Sequence, residues 1–222
     1  NYNFQFEILN SYDIYAVDSQ YNVPVSGTAN VGTQVSILAG TITVSQASNT
    51  PTGNIAPGQS GVTLAKFTIY AAGEPVRVRW LGVGLNITGA TTTIDNLFGN
   101  LTLIDDAGGQ IGSTVSTLST TSTCTDVTGS TATGTFRTCY GSSGSPINYT
   151  VPANTTRVLS LLVDVKSTAS FTNVVGLLVG NTNNLQGQTS AATASSAAVQ
   201  GSALSLSASS LALARNSALG TQ

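Results

Sequence analysis

Short runs of alternating apolar and polar residues recur along almost the whole chain, and they restrict its fold more than any other feature. Phe4–Ile8, Ile42–Val44 and Val76–Trp80 alternate with the period of two that is typical of half-buried β-strands. Further strand patterns, rich in residues that favour pleated surfaces, are Thr63–Tyr70, Leu101–Ile104, Leu159–Val165 and Val174–Val179. Turn sequences containing Gly, Pro and Asp separate these strands, and no amphipathic helical pattern exceeds two turns. The sequence therefore predicts an all-β protein, an immunoglobulin-like antiparallel β-sandwich.

A strand pattern near the start of the chain returns near its end. The apolar spacing of Val35–Val44 is repeated by Leu204–Leu213, so that residue 204 corresponds to residue 35 at an offset of 169. Both copies contain a step of five residues between apolar positions, which predicts a kink at Ala39-Gly40 and again at Ala208-Ser209. A chain that restarts its own pattern is one period of an array, or a subunit that donates a strand to its neighbour. Both interpretations favour a structural or adhesive protein.

Charged residues are scarce. They make up 7% of the 222 residues, against roughly 25% in ordinary soluble domains. Nine acids, seven bases and no histidine give a net charge of −2, which excludes a basic nucleic-acid-binding surface. No apolar run approaches the length of a membrane span, so the chain is expected not to span a membrane. Such weakly self-repelling surfaces suit proteins that pack against copies of themselves.

The two cysteines, Cys124 and Cys139, lie in a Ser/Thr/Gly-rich insertion at 112–146. A disulfide between them would close a loop and stabilise the fold by about 3 kcal/mol in the chain-entropy model. The alternative is a pair of free, buried thiols. We predict the disulfide, an exposed loop over 112–146, and an extracellular, cell-surface location.

Catalytic residue combinations are scarce in this sequence. Without histidine, no Ser-His-Asp or Cys-His arrangement and no histidine metal site can form. A glycosidase-type carboxylate pair could be drawn from Asp95, Asp105, Asp106 or Asp164, but nothing in the sequence selects one. We therefore expect no enzymatic activity and no cofactor, with a secreted hydrolase as a distant alternative.

Two further groups are candidate binding residues. Asp105 and Asp106, followed by Gly108-Gly109, could bind calcium through oxygen ligands, although Asp and Gly are also ordinary turn residues. Arg77 and Arg79 alternate beside Trp80 and could form a platform for a sugar or peptide, or an ordinary outer strand face. The four Asn-x-Ser/Thr sequons, which are candidate glycosylation sites and are also expected by chance in such a chain, are Asn86, Asn100, Asn148 and Asn154.

The domain organisation follows from these patterns. We predict an N-terminal strand segment at 1–29 that could pack on a neighbouring unit, a main β-sandwich at 30–185, a flexible linker at 186–198 and a C-terminal strand segment at 199–222. The last segment would complete a sheet of the next unit or begin the next repeat. Its register would be set by apolar residues that fill alternate pockets, namely Leu204, Leu206, Leu211 and Leu213.

Five motifs together resemble a recurrent module. They are Ser48–Pro51, the turn Ala56-Pro57-Gly58, the strand Val62–Ile69, the Gly-Glu corner and strand of Gly73–Val78, and, at the end of the chain, Leu211–Ser217. This arrangement resembles the tandem immunoglobulin-like β-sandwich repeat modules of large secreted surface proteins from candidate-phyla-radiation bacteria. The resemblance covers about residues 35–85 well and 199–219 in part, and it implies a surface or filament role without catalysis.

The sequence thus predicts a structural subunit of an extracellular filament or surface array. Its partner would be other copies of itself, joined by strand donation or as tandem repeats. The alternative is a surface adhesion or carbohydrate-binding module, which would bind a cell-surface glycan or a host-cell ligand through the 112–146 loop or the Arg77/Arg79/Trp80 face.

Overall fold

A computed structural model describes residues 2–37, 41–118 and 135–207 of the chain. The chain divides into two compact units, Asn1–Ala39 and Gly40–Gln222. We call the first unit the arm and the second the body. Among the described residues, no helix is long and apolar enough to cross a membrane.

The arm is a long, interrupted β-hairpin. Its outgoing strands pair with its returning strands in three short antiparallel ladders, each of two strands. A single 3₁₀ turn at Ser11–Asp13 interrupts the outgoing side. The pairs are β1 (Tyr2–Phe4) with β6 (Val35–Ile37), β2 (Glu7–Ile8) with β5 (Asn30–Val31), and β3 (Ala16–Val17) with β4 (Pro24–Val25).

The body contains two five-stranded sheets and a smaller four-stranded sheet. The first sheet has the order β13 (Gln110–Thr117), β12 (Phe98–Asp105), β16 (Thr155–Val165), β9 (Val62–Ala72) and β7 (Thr41–Gln46). The second has the order β14 (Thr135–Tyr140), β11 (Leu81–Thr88), β17 (Asn173–Val179), β20 (Val199–Leu206) and β8 (Gly53–Ile55). The side sheet has the order β15 (Tyr149–Val151), β10 (Val76–Val78), β18 (Asn181–Gly187) and β19 (Thr193–Ser196). Neighbouring strands are antiparallel except β20 and β8, which are parallel.

The hydrophobic core joins side chains of the two five-stranded sheets. Alternate residues of β9 and β16, such as Phe67 and Leu161, are fully buried, and so is Val174 of β17. The sheets approach each other closely at Gly201 of β20, where an added Cβ would lie 2.5 Å from the Cβ of Ala65. A residue without a side chain is therefore required at this contact.

These observations confirm the predicted all-β sandwich, and each predicted strand pattern overlaps an observed strand. The predicted turn at 105–109 is also present, because the Asp105 N–H donates to the Gly109 carbonyl at 2.8 Å and closes the β12–β13 hairpin. The predicted kinks at 39–40 and 208–209 lie outside the described residues.

The predicted domain boundaries differ from the structure. The division falls between Ala39 and Gly40 rather than after residue 29. The segment 186–198 was predicted as a linker, but it contains the end of β18 and all of β19, which pair with each other. The insertion at 112–146 is not a loop throughout, since β13 extends to Thr117 and β14 begins at Thr135. Polar composition concealed these strands because they lie at sheet edges or beside polar partners.

Asp164 links three elements of the body and provides a pH-dependent contribution to stability. Its carboxylate accepts hydrogen bonds from the Asn100 side chain and from the Gly61 N–H, both at 2.7 Å. These hydrogen bonds, the Asn100 one foremost, lower the pKa of Asp164 below its ordinary value. A lowered pKa stabilises the folded state above the ordinary pKa, and this contribution is lost as the pH falls through the folded pKa.

We expect Asp164→Asn to destabilise the body by about 1 kcal/mol at neutral pH, a small amount because the carboxylate is partly exposed to solvent. The difference in stability between the two proteins should disappear in acid, where the wild-type carboxyl is protonated and therefore neutral, like the amide of the variant. Urea unfolding of both proteins across the acid range measures this, with Asp95→Asn in an exposed turn as the control. A stability difference that stayed constant with pH would contradict this role of Asp164.

Candidate assembly surface

The arm exposes nearly all of its side chains. Of the residues whose burial is described between 3 and 35, none is buried, and only Ile8, Ala16 and Gly27 are half-buried. The large apolar side chains that are exposed here are Phe4, Phe6, Leu9, Tyr12, Ile14, Tyr15, Val17, Tyr21, Val23, Val25, Val31 and Val35. Soluble monomers seldom expose so many large apolar side chains within so short a segment, so the arm is a candidate interaction surface.

The aromatic side chains of the arm provide enough area for a specific interface. Five of them are between 45% and 87% exposed, with Tyr15 the most exposed. A covered aromatic side chain buries roughly 150–250 Å², so these five alone offer roughly 700 Å². A stable protein–protein interface of standard size buries about 800 Å² on each partner. The exposed aromatic surface of the arm is therefore of the size that a specific partner would cover.

Local hydrogen bonds fix the shape of the arm without any core. The Asp18 carboxylate accepts from the N–H groups of Gln20 and Tyr21 at 3.0 and 2.8 Å, which holds the tip between β3 and β4. The Asn10 N–H donates to the Asp13 carboxylate at 2.9 Å at the 3₁₀ turn. The first is an Asx turn and the second belongs to a capping box, and both are local structures that side-chain hydrogen bonds stabilise. They shape the hairpin but bury no apolar surface.

The charges of the arm do not protect its edges. Residues 1–39 contain three acids, Glu7, Asp13 and Asp18, and no lysine or arginine. Lysine is a common means of preventing a free strand edge from pairing with another chain. The two-stranded ladders of the arm therefore present free backbone edges with no basic side chain to block them.

The predicted assembly strand lies in the chain's own core. Leu204 is 1% exposed, and β20 lies between β17 and β8 of the second sheet. Leu206 is half-buried against the same core. The prediction that Leu204 and Leu206 fill pockets of a neighbouring unit is therefore wrong for this structure, because their own sheet supplies those pockets. Leu211 and Leu213 lie outside the described residues.

The predicted aromatic platform is not available to a ligand. Trp80 is only 3% exposed, and the Arg79 guanidinium lies over its ring at 5.1 Å from the centroid. Arg77 instead hydrogen-bonds the side chain of Asn148. The two arginines are thus used within the body, and the ring face of the tryptophan is covered.

The predicted calcium ligands have a protein partner instead. Arg157 forms ion pairs with Asp105 and Asp106, both at 3.2 Å. The Asp105 carboxylate also accepts hydrogen bonds from the N–H groups of Ala107 and Gly109. Within the described ranges, no group of three or more His, Cys, Asp or Glu residues is arranged to hold a metal ion. This acidic pair therefore serves the β12–β13 turn.

The structure locates one of the two cysteines and all four sequon asparagines. Cys139 lies on β14, opposite Gly82 of β11, while Cys124 lies outside the described residues, so their pairing stays a prediction. Asn100, Asn148 and Asn154 are exposed and have positive φ angles, whereas Asn86 is half-buried on β11. The Asn100 amide is already a donor to Asp164.

Sequence reasoning missed the aromatic side chains of the arm as a site. The signal was visible, because four of the seven tyrosines and two of the six phenylalanines lie in the first 21 residues. The alternation of Phe4–Ile8 predicts a half-buried strand and does not by itself identify these aromatic residues as a binding site. The structure shows that five of them, Phe4, Phe6, Tyr12, Tyr15 and Tyr21, are exposed.

No protein-family model and no curated protein sequence matches this chain. Among solved structures, the chain is similar to AvmM, which catalyses macrocyclization in alchivemycin A biosynthesis, with 7% identity, a TM-score of 0.38 and coverage of 78% of this chain and 93% of that one. It is also similar to a chain in a complex of CaDoc0917 with CaCohA2, with 9% identity, a TM-score of 0.32 and coverage of 75% and 100%. A third similarity is to the seventh ScaB type I cohesin of Pseudobacteroides cellulosolvens, with 11% identity, a TM-score of 0.27 and coverage of 79% and 97%. At these scores the similarities carry no argument about function.

Proposed function

We propose that this chain is a non-catalytic structural module of an extracellular filament or surface array, and that it associates with other copies of the same module through the arm. The observation that carries the proposal is the arm at residues 2–37, a β-hairpin without a core and with twelve exposed large apolar side chains. The module is displayed outside the cell and holds its neighbours by strand pairing and apolar contact.

The energetics of the arm support this role. A two-stranded hairpin is at best marginally stable in water, because it buries too little surface to offset the entropy of ordering its backbone. The arm is subject to that limit, since none of the residues from 3 to 35 is buried. A partner that covered the exposed aromatic residues would stabilise the hairpin and the assembly together.

The charge distribution of the chain is consistent with another copy of the module as the partner of the arm. All seven lysines and arginines of the chain follow residue 39, whereas the arm holds three acids and no base. Six of the nine acids also follow residue 39, so residues 40–222 carry a formal net charge of +1 against −3 for the arm. The net charges of an arm and of the body of another copy are therefore opposite in sign, although the charge of the body is small. A contact between two different surfaces of identical subunits is heterologous, and such contacts generate open filaments unless the rotation closes a ring.

The test is to compare the full chain with a version that begins at Gly40. We expect the full chain to form larger species as its concentration rises, and the shortened version to stay monomeric, because the body keeps its own complete sandwich. Sedimentation velocity measures the size distribution, and electron microscopy shows whether the larger species are regular.

Substitutions within the full chain provide the matched control. Tyr12, Tyr15 and Tyr21 changed together to Ser should abolish association, whereas Gln20, Thr28 and Thr33 changed together to Ser should not, since all six residues are exposed on the arm. A full chain that remained monomeric at every concentration would overturn the proposal, and so would equal association of the two triple variants.

A further inference from the structure

The arm repeats the strand pairing of the last strands of the body. Asn3 pairs with Ser36 in the arm, and Asn173 pairs with Ser205 in the body. The returning strands correspond at the offset of 169 seen in the sequence, and the outgoing β1 and β2 correspond to β17 at an offset of 170. The other paired positions agree: Phe4–Val35 with Val174–Leu204, Glu7–Val31 with Leu177–Gln200, Ile8–Asn30 with Leu178–Val199, Ala16–Val25 with Leu185–Ala194, and Val17–Pro24 with Gln186–Thr193.

The tip of the arm repeats the turn between β18 and β19. In the arm, the Asp18 N–H donates to the Val23 carbonyl and its carbonyl accepts from the Asn22 N–H, both at 2.9 Å. The equivalent bonds of the body, Gly187 to Ala192 and Ala191 to Gly187, are present at 2.9 and 3.1 Å. Asn22 and Ala191 both have a φ of 55°, a left-handed conformation that a non-glycine residue seldom adopts. Two unrelated hairpins would not be expected to share this rare residue conformation at an equivalent position.

The irregularities of the two ladders also correspond. In the body, the register of β17 and β20 shifts by one residue between Val175 and Leu177. In the arm, the register shifts by one residue between Phe4 and Glu7, the equivalent place. A shared bulge is a specific structural feature rather than a general property of hairpins. The one difference in offset lies between Ile8 and Ala16, where the arm has its 3₁₀ turn.

The apolar faces match as well. Val174, Leu178, Leu185 and Leu204 of the body are all buried. The equivalent arm residues are also apolar, but none of them is buried: Phe4 and Val35 are exposed, and Ile8 and Ala16 are half-buried. The arm therefore carries the core-facing side chains of a sandwich whose opposite sheet is absent from the arm.

From this correspondence, which deepens the proposed function and rests on it for the identity of the partner, we infer that residues 2–37 are the last four strands of a preceding copy of the module. Their partner is the remainder of that copy, residues equivalent to 40–171. Its equivalent of β11 pairs antiparallel with residues 2–8, as β11 pairs with β17, and its equivalent of β8 pairs parallel with residues 35–37, as β8 pairs with β20. The array is then a covalent series of sandwiches whose period equals the sequence offset of 169 residues.

Four arm residues that depart from the body at buried positions bear on the design of the test. Glu7 stands at the position of Leu177, and Asp18 stands at that of Gly187, where an added Cβ would lie 2.4 Å from Oε1 of Glu74. The other two are aromatic. Phe6 stands at the position of Gly176, where an added Cβ would lie 3.1 Å from the Cβ of Ala65. Tyr15 stands at the position of Asn184, which is buried. The preceding copy therefore has more space at these two places than the body of this chain provides.

The test places a second copy of residues 40–171 before residue 2 of the full chain. Phe6→Gly, Glu7→Leu, Tyr15→Asn and Asp18→Gly bring these four positions of the arm into agreement with the body. We expect the arm to complete a first sandwich, so that amide hydrogen exchange of residues 3–8 and 30–37 slows by at least about 100-fold relative to the full chain alone. Unchanged exchange in these segments would overturn the inference.

Two valines of the arm provide a face-specific control in this extended chain. Val35 and Val31 are 49% and 63% exposed in the arm, but they correspond to the buried Leu204 and the exposed Gln200. Val35→Asp should abolish the exchange protection, because it would bury a charge in the completed core, whereas Val31→Asp should leave the protection unchanged. Equal effects of the two substitutions would contradict the inferred register.

The results separate this inference from the proposed function. If the full chain associates but the extended chain shows no arm protection, the inference fails and the assembly role stands. If the full chain never associates but the extended chain shows protection with the Val35/Val31 difference, the inference stands and self-association through the arm fails.

Discussion

A chain that ends at residue 198 is expected not to fold cooperatively. The truncation removes β20, which lies inside the second sheet with β17 on one side and β8 on the other. It also removes Leu204, which is buried in the core, and strips β8 of its strand partner. Far-UV circular dichroism during heating measures this, with the full chain showing one sharp transition for the body and the truncated chain showing none.

A point substitution tests the same strand without shortening the chain. Leu204→Ala should destabilise the body by about 2–5 kcal/mol, since it removes apolar contacts and leaves a cavity. Ser205→Ala, at the exposed neighbouring position, should change the stability by less than about 0.5 kcal/mol. If the chain ending at 198 unfolded as sharply as the full chain, β20 would not belong to its own sandwich in solution.

The sequence was sufficient to predict strands and the sandwich, because the period-two pattern reports which side of a strand is buried. It could not identify which sheet receives a strand. Leu204 and Leu206 alternate with serines as a donated strand would, and an internal strand shows the same alternation. The pairing of β20 with β17 depends on contacts between distant parts of the chain, which local pattern does not encode.

The segment 181–196 shows a second limit of local pattern. Its sequence is rich in Asn, Gln, Thr and Ser, and only Leu185 reads as a core residue in β18. Composition therefore predicted a linker from residue 186 onward. The strands β18 and β19 form nevertheless, because buried side-chain hydrogen bonds stabilise them where other strands are stabilised by apolar burial.

The arm shows the opposite case: its alternating pattern correctly predicts strands, but the apolar side chains of these strands are not buried. Phe4, Ile8 and Val35 alternate as core residues do, and their ladders form as the pattern predicts. The apolar spacing that is repeated at the offset of 169 by itself indicates a repeat. This repeated spacing could not show that the repeated part includes four strands and a turn, since few residues are identical between the copies.

Asn184→Leu is expected to be among the most damaging single substitutions in the side sheet. The Asn184 amide donates to the Trp80 carbonyl and to the Ser196 hydroxyl, both at 2.9 Å, and its oxygen accepts from the Ser196 N–H at 3.0 Å. The residue is completely buried, so water cannot replace these partners. Leucine has a similar volume but leaves a buried carbonyl and a buried N–H unpaired, at about 1–3 kcal/mol each.

The expected loss for Asn184→Leu is therefore on the order of 3–5 kcal/mol, which for a domain of this size lowers the melting temperature by about 10 °C or more. Differential scanning calorimetry measures the shift. Thr182→Val is the matched control, because Thr182 lies on the same strand with an exposed side chain and should change the melting temperature little. Equal melting temperatures for Asn184→Leu and the wild type would mean that apolar packing alone holds β18 and β19, and that their polar sequence is not the reason they join the sandwich.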